Sequence, residues 1–454
     1  MKFRETWLVQ LFAVGLTSAL LLGCSSGNQT RTPTKPETAP AGAAADGEPA
    51  AAAASPASTA SPDDPEAVAA IEKAGGKVTR NSATPPSVVE IDFSRATVKG
   101  FDFTLLEKLP GLQRLILVGS DVNNAAIDQL QSLKLRDLVL ENTEITNDAL
   151  AKLQSIPTLK SLNLRRSSYV TDAGLAHLVG LPQLEQLHLL YNNFEDPGME
   201  SVAKISKLRV LDLRGCAYVG NEGLAHLAKL ENLERLKLRN PNVNDDGLKA
   251  IQGLTKLKGL GLEDTQITND GLANIEGMTR LDELYLMRTN ITDEALVHFK
   301  GLKDLKRLEL RATGLDGSGL ENLKDLNKLS VLDLGETEVN DAGLAHIAGL
   351  TSLTRLDLWH TAVTDAGLPS LRGLVNLQYL NLVGAKITDA GLVNLEPLKK
   401  LRALELAETP ITDAGLAHLA ELKDLRDLDL SFTKTTDEGR QKLKAAIKDL
   451  KIVN

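Results

Sequence analysis

At 454 residues the chain is long enough for two or three ordinary domains, yet only 3% of it is aromatic and its apolar content lies in leucine and other aliphatic residues. That composition suits a stacked aliphatic core better than one built on rings. The formal charge of −9 argues against nucleic acid as the main ligand, because a polyanion is drawn to an excess of Lys and Arg. With Cys24 and Cys216 as its two cysteines, the chain is no disulfide-dense scaffold.

Lys2 and Arg4 precede an apolar run from Trp7 to Leu22 that closes on Leu21-Leu22-Gly23-Cys24. A charged start, a short apolar stretch and small residues at the cut describe an export signal; at about 16 residues the run is shorter than the roughly 20 of a spanning helix. The tetrapeptide resembles the lipobox of bacterial lipoproteins. The resemblance implies that residues 1–23 are removed and that Cys24 becomes the lipidated N-terminus of an exported protein held in the cell envelope. Ser25, in place of Asp, leans towards the outer membrane on the same resemblance. Acyl chains would hold the protein by burying roughly 0.8 kcal/mol per CH₂. An ordinary cleaved signal with a cysteine at the cut is the alternative.

Residues 24–63 are Ala, Pro, Ser, Thr and Gly with scattered charges and, from Ser25 on, no Val, Ile, Leu, Met or aromatic residue, so they cannot bury a core and read as a disordered tether. Residues 64–100 read as an N-terminal cap. Asp64-Pro65 is a helix start, the helix runs from Glu66 to Ala74, and strands follow at Lys77 to Arg80 and Ser87 to Phe93 around the Thr84-Pro85-Pro86 turn.

Within residues 101–436 one sentence recurs. The pattern L-x-x-L-x-L appears fourteen times, from Leu112-Leu115-Leu117 to Leu425-Leu428-Leu430, at steps of 23 to 25 residues, with Val88-Ile91-Phe93 a degenerate earlier copy. Three residues past most copies comes a small polar ladder position, such as Thr143, Ser167, Asn192, Cys216 and Thr265, suited to bonding backbone groups between coils. Pro241 and Ala385 break this ladder. Segments such as Ile411-Thr412-Asp413-Ala414-Gly415-Leu416 then begin short helices, with Thr or Asn as cap and Asp in the first turn. Residues 437–454 read as a capping helix to Leu450 and a last strand.

These copies resemble the leucine-rich-repeat family of the helical-backed variety. The resemblance implies an α/β solenoid, a curved horseshoe with a parallel sheet on its concave face and short helices on its convex face, that works by binding. His177, His226, His298, His346 and His418 share one convex slot about 10 Å apart between adjacent copies, too far to share a zinc ion. No H-E-x-x-H, G-x-S-x-G, P-loop or C-x-x-C pattern appears, so no catalytic residue, metal or cofactor is expected and the chain does not read as an enzyme.

In each strand the leucines face the core and the intervening residues face the concave surface, because side chains alternate with period two. Arg165, Arg214, Arg235, Lys237 and Arg239 make the early copies basic, while Asp333, Asp357, Glu405, Asp427 and Asp429 make the late ones acidic. A solvated sheet needs polar side chains anyway, so a structural reading stands beside a functional one. Aromatics are rarer: Tyr285 with Met287, Trp359 with His360, Tyr379, and Tyr191 further back are candidate anchors, and Gly335 should leave a notch between the rows of Arg311 and Trp359. The expected centre of contact is Tyr285, Met287, Arg311, Trp359 and Tyr379. A protein partner is expected; a structural envelope role or binding of cell-wall carbohydrate such as peptidoglycan are the alternatives.

Overall fold

The computed structural model describes residues 62–454. The expected leader, Cys24 and nearly all of the expected tether lie outside the described residues. Ordered contacts are in place by Asp63, whose carboxylate accepts from Arg80 at 3.0 Å and from the Val88 N–H at 2.7 Å. Asp64 caps the first helix, Pro65–Lys73, accepting from the Glu66 N–H at 2.8 Å, and the helix buries Ala67, Val68 and Ile71. Strand Lys77–Arg80 pairs antiparallel with Val88–Asp92. Phe93, Phe101 and Phe103, with ring centroids 5.1 to 6.2 Å apart, cover the first end of the aliphatic core.

From Val88–Asp92 onward every strand pairs in parallel with the next, and the middle leucines stack in register: Leu115 on Leu138, Leu138 on Leu162, and so on to Leu428 on Ile452. The leucines on both sides of each strand centre are essentially fully buried, each contributing roughly 1.5–3 kcal/mol. Short helices return the chain behind the sheet. Two residues past the last leucine of a copy the backbone turns left-handed, at Asn142, Arg166, Tyr191, Asp264, Arg288, Ala312, Glu336, His360, Glu408 and Phe432 (φ 51 to 59°), with glycine in the same slot at 119, 215 and 384. This turn lifts the chain off the sheet, and non-glycine residues there cost roughly 1–2 kcal/mol each, which the packed coils offset.

The polar ladder differs from the expected one in two ways. Ser167, Asn192 and Cys216 do bond the preceding coil, through the carbonyls of Leu140, Leu164 and Leu189; but threonines such as 265, 289, 313, 337, 361 and 409 donate to the last leucine carbonyl of their own strand. The ladder also continues through the copy of Pro241. Ser167 and Cys216 donate their backbone N–H to the last strand leucine. Proline has no N–H to give, so the chain shifts by one and fully buried Asn240 fills the slot, donating to the Cys216 carbonyl at 2.6 Å. At Ala385 the break is present: a buried methyl group occupies the slot.

On the convex side the T-D-A-G segment has a use beyond capping. The Asp365 carboxylate accepts from both the backbone N–H (2.8 Å) and the hydroxyl (2.5 Å) of Thr388 in the next coil, and Asp341, Asp389 and Asp413 do the same for Thr364, Thr412 and Thr436. The glycine of the next coil lies against this carboxylate, so a Cβ at Gly391, Gly415 or Gly439 would collide with Asp365, Asp389 or Asp413. The spacing between Asp in one copy and Gly in the next is therefore a packing requirement. The last helix, Asp437–Ala446, is shorter than expected because Ile447 turns extended and is fully buried; strand Lys451–Val453 then pairs with Asp427–Asp429.

Candidate functional site

Three rows of side chains cross the exposed sheet face. The central row runs in register through Tyr285, Glu309, Asp333, Asp357, Asn381, Glu405 and Asp429. Several of its members also stabilise the strand ends: Asp333 accepts from the Gly335 N–H at 2.9 Å, Asp357 from Trp359 at 3.1 Å, Asn381 from Val383 at 3.0 Å and Asp429 from Ser431 at 2.8 Å. Part of the acidity read from the sequence is thus a backbone requirement that either Asp or Asn meets, in the manner of an Asx turn.

The early copies are not the free basic surface that a row-by-row reading suggests. Arg165 pairs with Glu141 at 2.6 Å, Arg214 forks onto Asp212 at 2.7 and 3.0 Å, and Arg239 and Arg288 share Asp264. Arg235 passes over Gly259 to reach Glu283 at 2.5 Å, and Glu283 also accepts from the Tyr285 hydroxyl at 3.2 Å. These partners lie one or two coils away, or along the same strand in another row. Arg165 and Arg166 approach the Tyr191 ring at 5.4 and 5.3 Å, and that ring lies across Gly215.

Arg311, Trp359 and Tyr379 come together; Tyr285 and Met287, both half-buried, line a separate stretch of the face. Gly335 has no side chain to separate Arg311 from Trp359, so the guanidinium crosses the notch and stacks over the indole at 4.3 Å while bonding Glu336 at 2.9 Å. One coil on, Arg355 lies 3.6 Å over the Tyr379 ring. His360 meets Trp359 edge-on at 4.8 Å, packs over Gly384 and approaches Glu408 at 3.8 Å. Between these groups is a depression of about 280 Å³ whose walls include Trp359, Tyr379, Asp333, Asp357 and Glu405. Arg355, Asn381 and Val383 belong to this area but not to the expected contact set; Arg355 and Tyr379 share a register position in adjacent copies, a signal the sequence already carries.

Burial and like charge act together on the carboxylates. Burial and the nearby Asp357 push Asp333 up to about 6. Asp357 rises through burial, and Glu405 through burial and the charges of Asp429, Asp357 and Asp427. Burial, reinforced by Asp357, lifts the Tyr379 phenol to about 12. Among the described residues, Asp333 and Glu405 form no ion pair, and Arg355 reaches Asp357 at 3.7 Å. Cys216 is fully buried with its thiol pushed up to about 12 by burial, which removes it from thiolate chemistry. Among the described residues no three His, Cys, Asp or Glu side chains converge as metal ligands. His298 and His418 each bond a glutamate of the preceding coil, Glu276 at 2.6 Å and Glu396 at 2.8 Å.

A family model described as Leucine Rich repeat matches residues 204–228 and 374–395, each a strand of the array with the turn and short helix that follow it. The chain is a leucine-rich-repeat protein. Similar solved structures include an internalin from Listeria monocytogenes, 21% identical over 72% of this chain and 88% of that one (TM-score 0.56), and a leucine-rich-repeat protein from Leptospira interrogans, 20% identical over 77% of this chain and 92% of that one (TM-score 0.55). At that identity the likeness is one of fold. Comparison with curated protein sequences finds no match. In this leucine-rich-repeat protein the candidate site is therefore argued from its own side chains.

Proposed function

We propose that the chain is a binding protein of the bacterial cell envelope, attached by lipid at Cys24, that takes a protein partner on the concave face of its solenoid around Trp359. The observation that carries the reading is the depression among Trp359, Tyr379, Asp333, Asp357 and Glu405, where half-buried rings and carboxylates face outward together and, among the described residues, Asp333 and Glu405 have no ion pair. Such clusters of large amphipathic side chains anchor protein interfaces. Arg214, Arg235 and Arg239 lie on earlier copies of the same face, each already paired with a carboxylate. A carbohydrate ligand would stack on bare rings, and the most exposed tyrosines, Tyr169 and Tyr218, lie outside this depression; the guanidinium groups already stacked on Trp359 and Tyr379 favour a protein. The leader and the Leu21-Leu22-Gly23-Cys24 tetrapeptide support the anchor.

The test is a photo-crosslinking residue at Val383, beside the depression, compared with one at Val297 on a convex helix. Envelope protein adducts at Val383 and none at Val297 are expected; adducts at Val297 alone, or only adducts between copies of this chain, sink the concave-face reading. Intact-mass measurement finding Cys24 without diacylglycerol would overturn the anchor.

A further inference from the structure

The depression differs from the earlier copies of the sheet face in its charge pairing. There the arginines meet carboxylates: Arg165 with Glu141, Arg214 with Asp212, Arg235 with Glu283, Arg307 with Glu309. Here Asp333 and Glu405 have no such partner among the described residues. One oxygen of each of Asp333 and Asp357 is held by a backbone N–H; the other oxygen of Asp357 has Arg355 at 3.7 Å, whereas the other oxygen of Asp333 is left available. No set of three ligands is present for a metal ion among the described residues. A nucleic acid would be repelled by the row.

Acidity is only half of the observation. The carboxylates border a hollow of about 280 Å³, room enough for long side chains, and two aromatic rings form part of its wall. Both rings already carry a guanidinium on one side, at 4.3 and 3.6 Å; these are distances at which a cation is attracted by a ring face. The hollow therefore combines the two features that hold an arginine or lysine: carboxylate oxygens for the charged head and an apolar wall for the stem. Asp357 and Glu405 are two strand steps apart in register, roughly 10 Å at about 4.8 Å per step. A polyproline II segment, with three residues per turn at about 3.1 Å each, covers that distance in about three residues and turns both side chains to the same face.

The geometry points to a basic segment of the protein partner as the occupant, one cationic side chain held at Asp333 and Asp357 and a second, three residues along, at Glu405. This rests on the reading that the concave face binds protein, and it adds what that protein presents. It also accounts for a costly feature of the fold: like-charged side chains in adjacent strands oppose folding, and a cationic ligand would relieve that repulsion on binding.

The test uses the full chain carrying Trp7→Phe, so that Trp359 is its single tryptophan. The probe is a blocked peptide containing Arg-Ser-Gly-Arg; its counterpart has Glu at both Arg positions. The Arg peptide should change Trp359 emission saturably and the Glu peptide should not. Asp333→Asn with Glu405→Gln should weaken the Arg peptide about tenfold or more, whereas Asp325→Asn with Glu421→Gln, which removes the same charge from exposed sites elsewhere, should leave it near the parent value. Binding should also weaken from about pH 7.5 to about pH 5 as Asp333, faced by Asp357, Glu309 and Arg311, takes up a proton. Equal binding of both peptides, or equal weakening by both double variants, overturns the proposal. If the Val383 adducts persist undiminished in Asp333→Asn with Glu405→Gln, the basic-segment proposal fails and concave-face binding stands; if the parent gives no such adducts, concave-face binding itself fails.

Discussion

Replacing Asp333 by Asn should make the protein more stable and a poorer binder. The Asp333 Oδ1 atom accepts the Gly335 N–H at 2.9 Å, and an amide oxygen can do the same: Asn381 holds the Val383 N–H at 3.0 Å in the same row. The substitution therefore keeps the strand-end bond and deletes the charge. Asp333 has an ordinary value of 3.8 and is raised to about 6 in the folded chain. At neutral pH a shift of that size corresponds to at most about 3 kcal/mol opposing the fold; solvent screening at a half-buried site reduces this to about 1–2 kcal/mol. The direction follows from proton uptake. Between about pH 4 and pH 6 the folded chain binds a proton that the unfolded chain does not, so parent stability falls as pH rises through this window and is level above it. Asp333→Asn should thus exceed the parent by about 1–2 kcal/mol at pH 7.5 and match it near pH 4. Because a repeat array can open locally, native-state hydrogen exchange across residues 329–361 is the assay, with urea unfolding beside it. A variant no more stable than the parent at pH 7.5, or one whose advantage does not depend on pH, would refute the argument.

The convex carboxylates allow a second substitution: Gly391→Ala should cost about 2 kcal/mol, because its Cβ collides with the Asp365 carboxylate, and Asp365→Ala in the same chain should recover part of that loss in urea unfolding. Ala312 has φ 55°, so Ala312→Gly should leave stability unchanged or raise it by up to about 1 kcal/mol, whereas Ala403→Gly within a strand should lower it by about 0.5–1 kcal/mol; equal thermal shifts for the two would remove the left-handed turn as an energetic feature. Cys216, buried and with its thiol raised to about 12, should react with a thiol reagent only as fast as its coil opens, and labelling of the native protein at the rate of a free cysteine would contradict that.

The fold was legible because its cause is periodic. A leucine at each of three fixed positions is enough to place every strand, and the predicted register from Leu115 to Leu428 is the observed one. What periodicity hides is the exception. Pro241 reads as a break in the ladder, but an N–H that proline lacks passes the slot to Asn240, which only the backbone path reveals. The Asp-to-Gly contact across coils is present in the repeated T-D-A-G segment, yet the sequence gives no sign that the two residues of adjacent copies touch.

Site residues were legible as positions and not as partnerships. Alternation correctly puts Arg235 on the exposed face, but its partner Glu283 lies two coils away over Gly259, so a count of charges along one row takes a neutralised pair for a basic surface. The same glycine logic applies at Gly335: the expected notch is bridged by Arg311 on its way to Trp359. Small residues in the exposed rows determine which long side chains can cross, and hence which charges are left over. At Asp333 and Glu405, charges are left over.

The central claim is that a protein partner seats on Trp359 and its surroundings. Once a partner is identified by crosslinking, the most direct measurement is its affinity for the parent and for Trp359→Ala, with circular dichroism confirming that the variant is folded. The account predicts a change in Trp359 emission on binding and a loss of affinity of about thirtyfold or more in the variant, the scale of an interface hot spot. A partner that binds Trp359→Ala as tightly as the parent, or that saturates the parent without altering Trp359 emission, would contradict it.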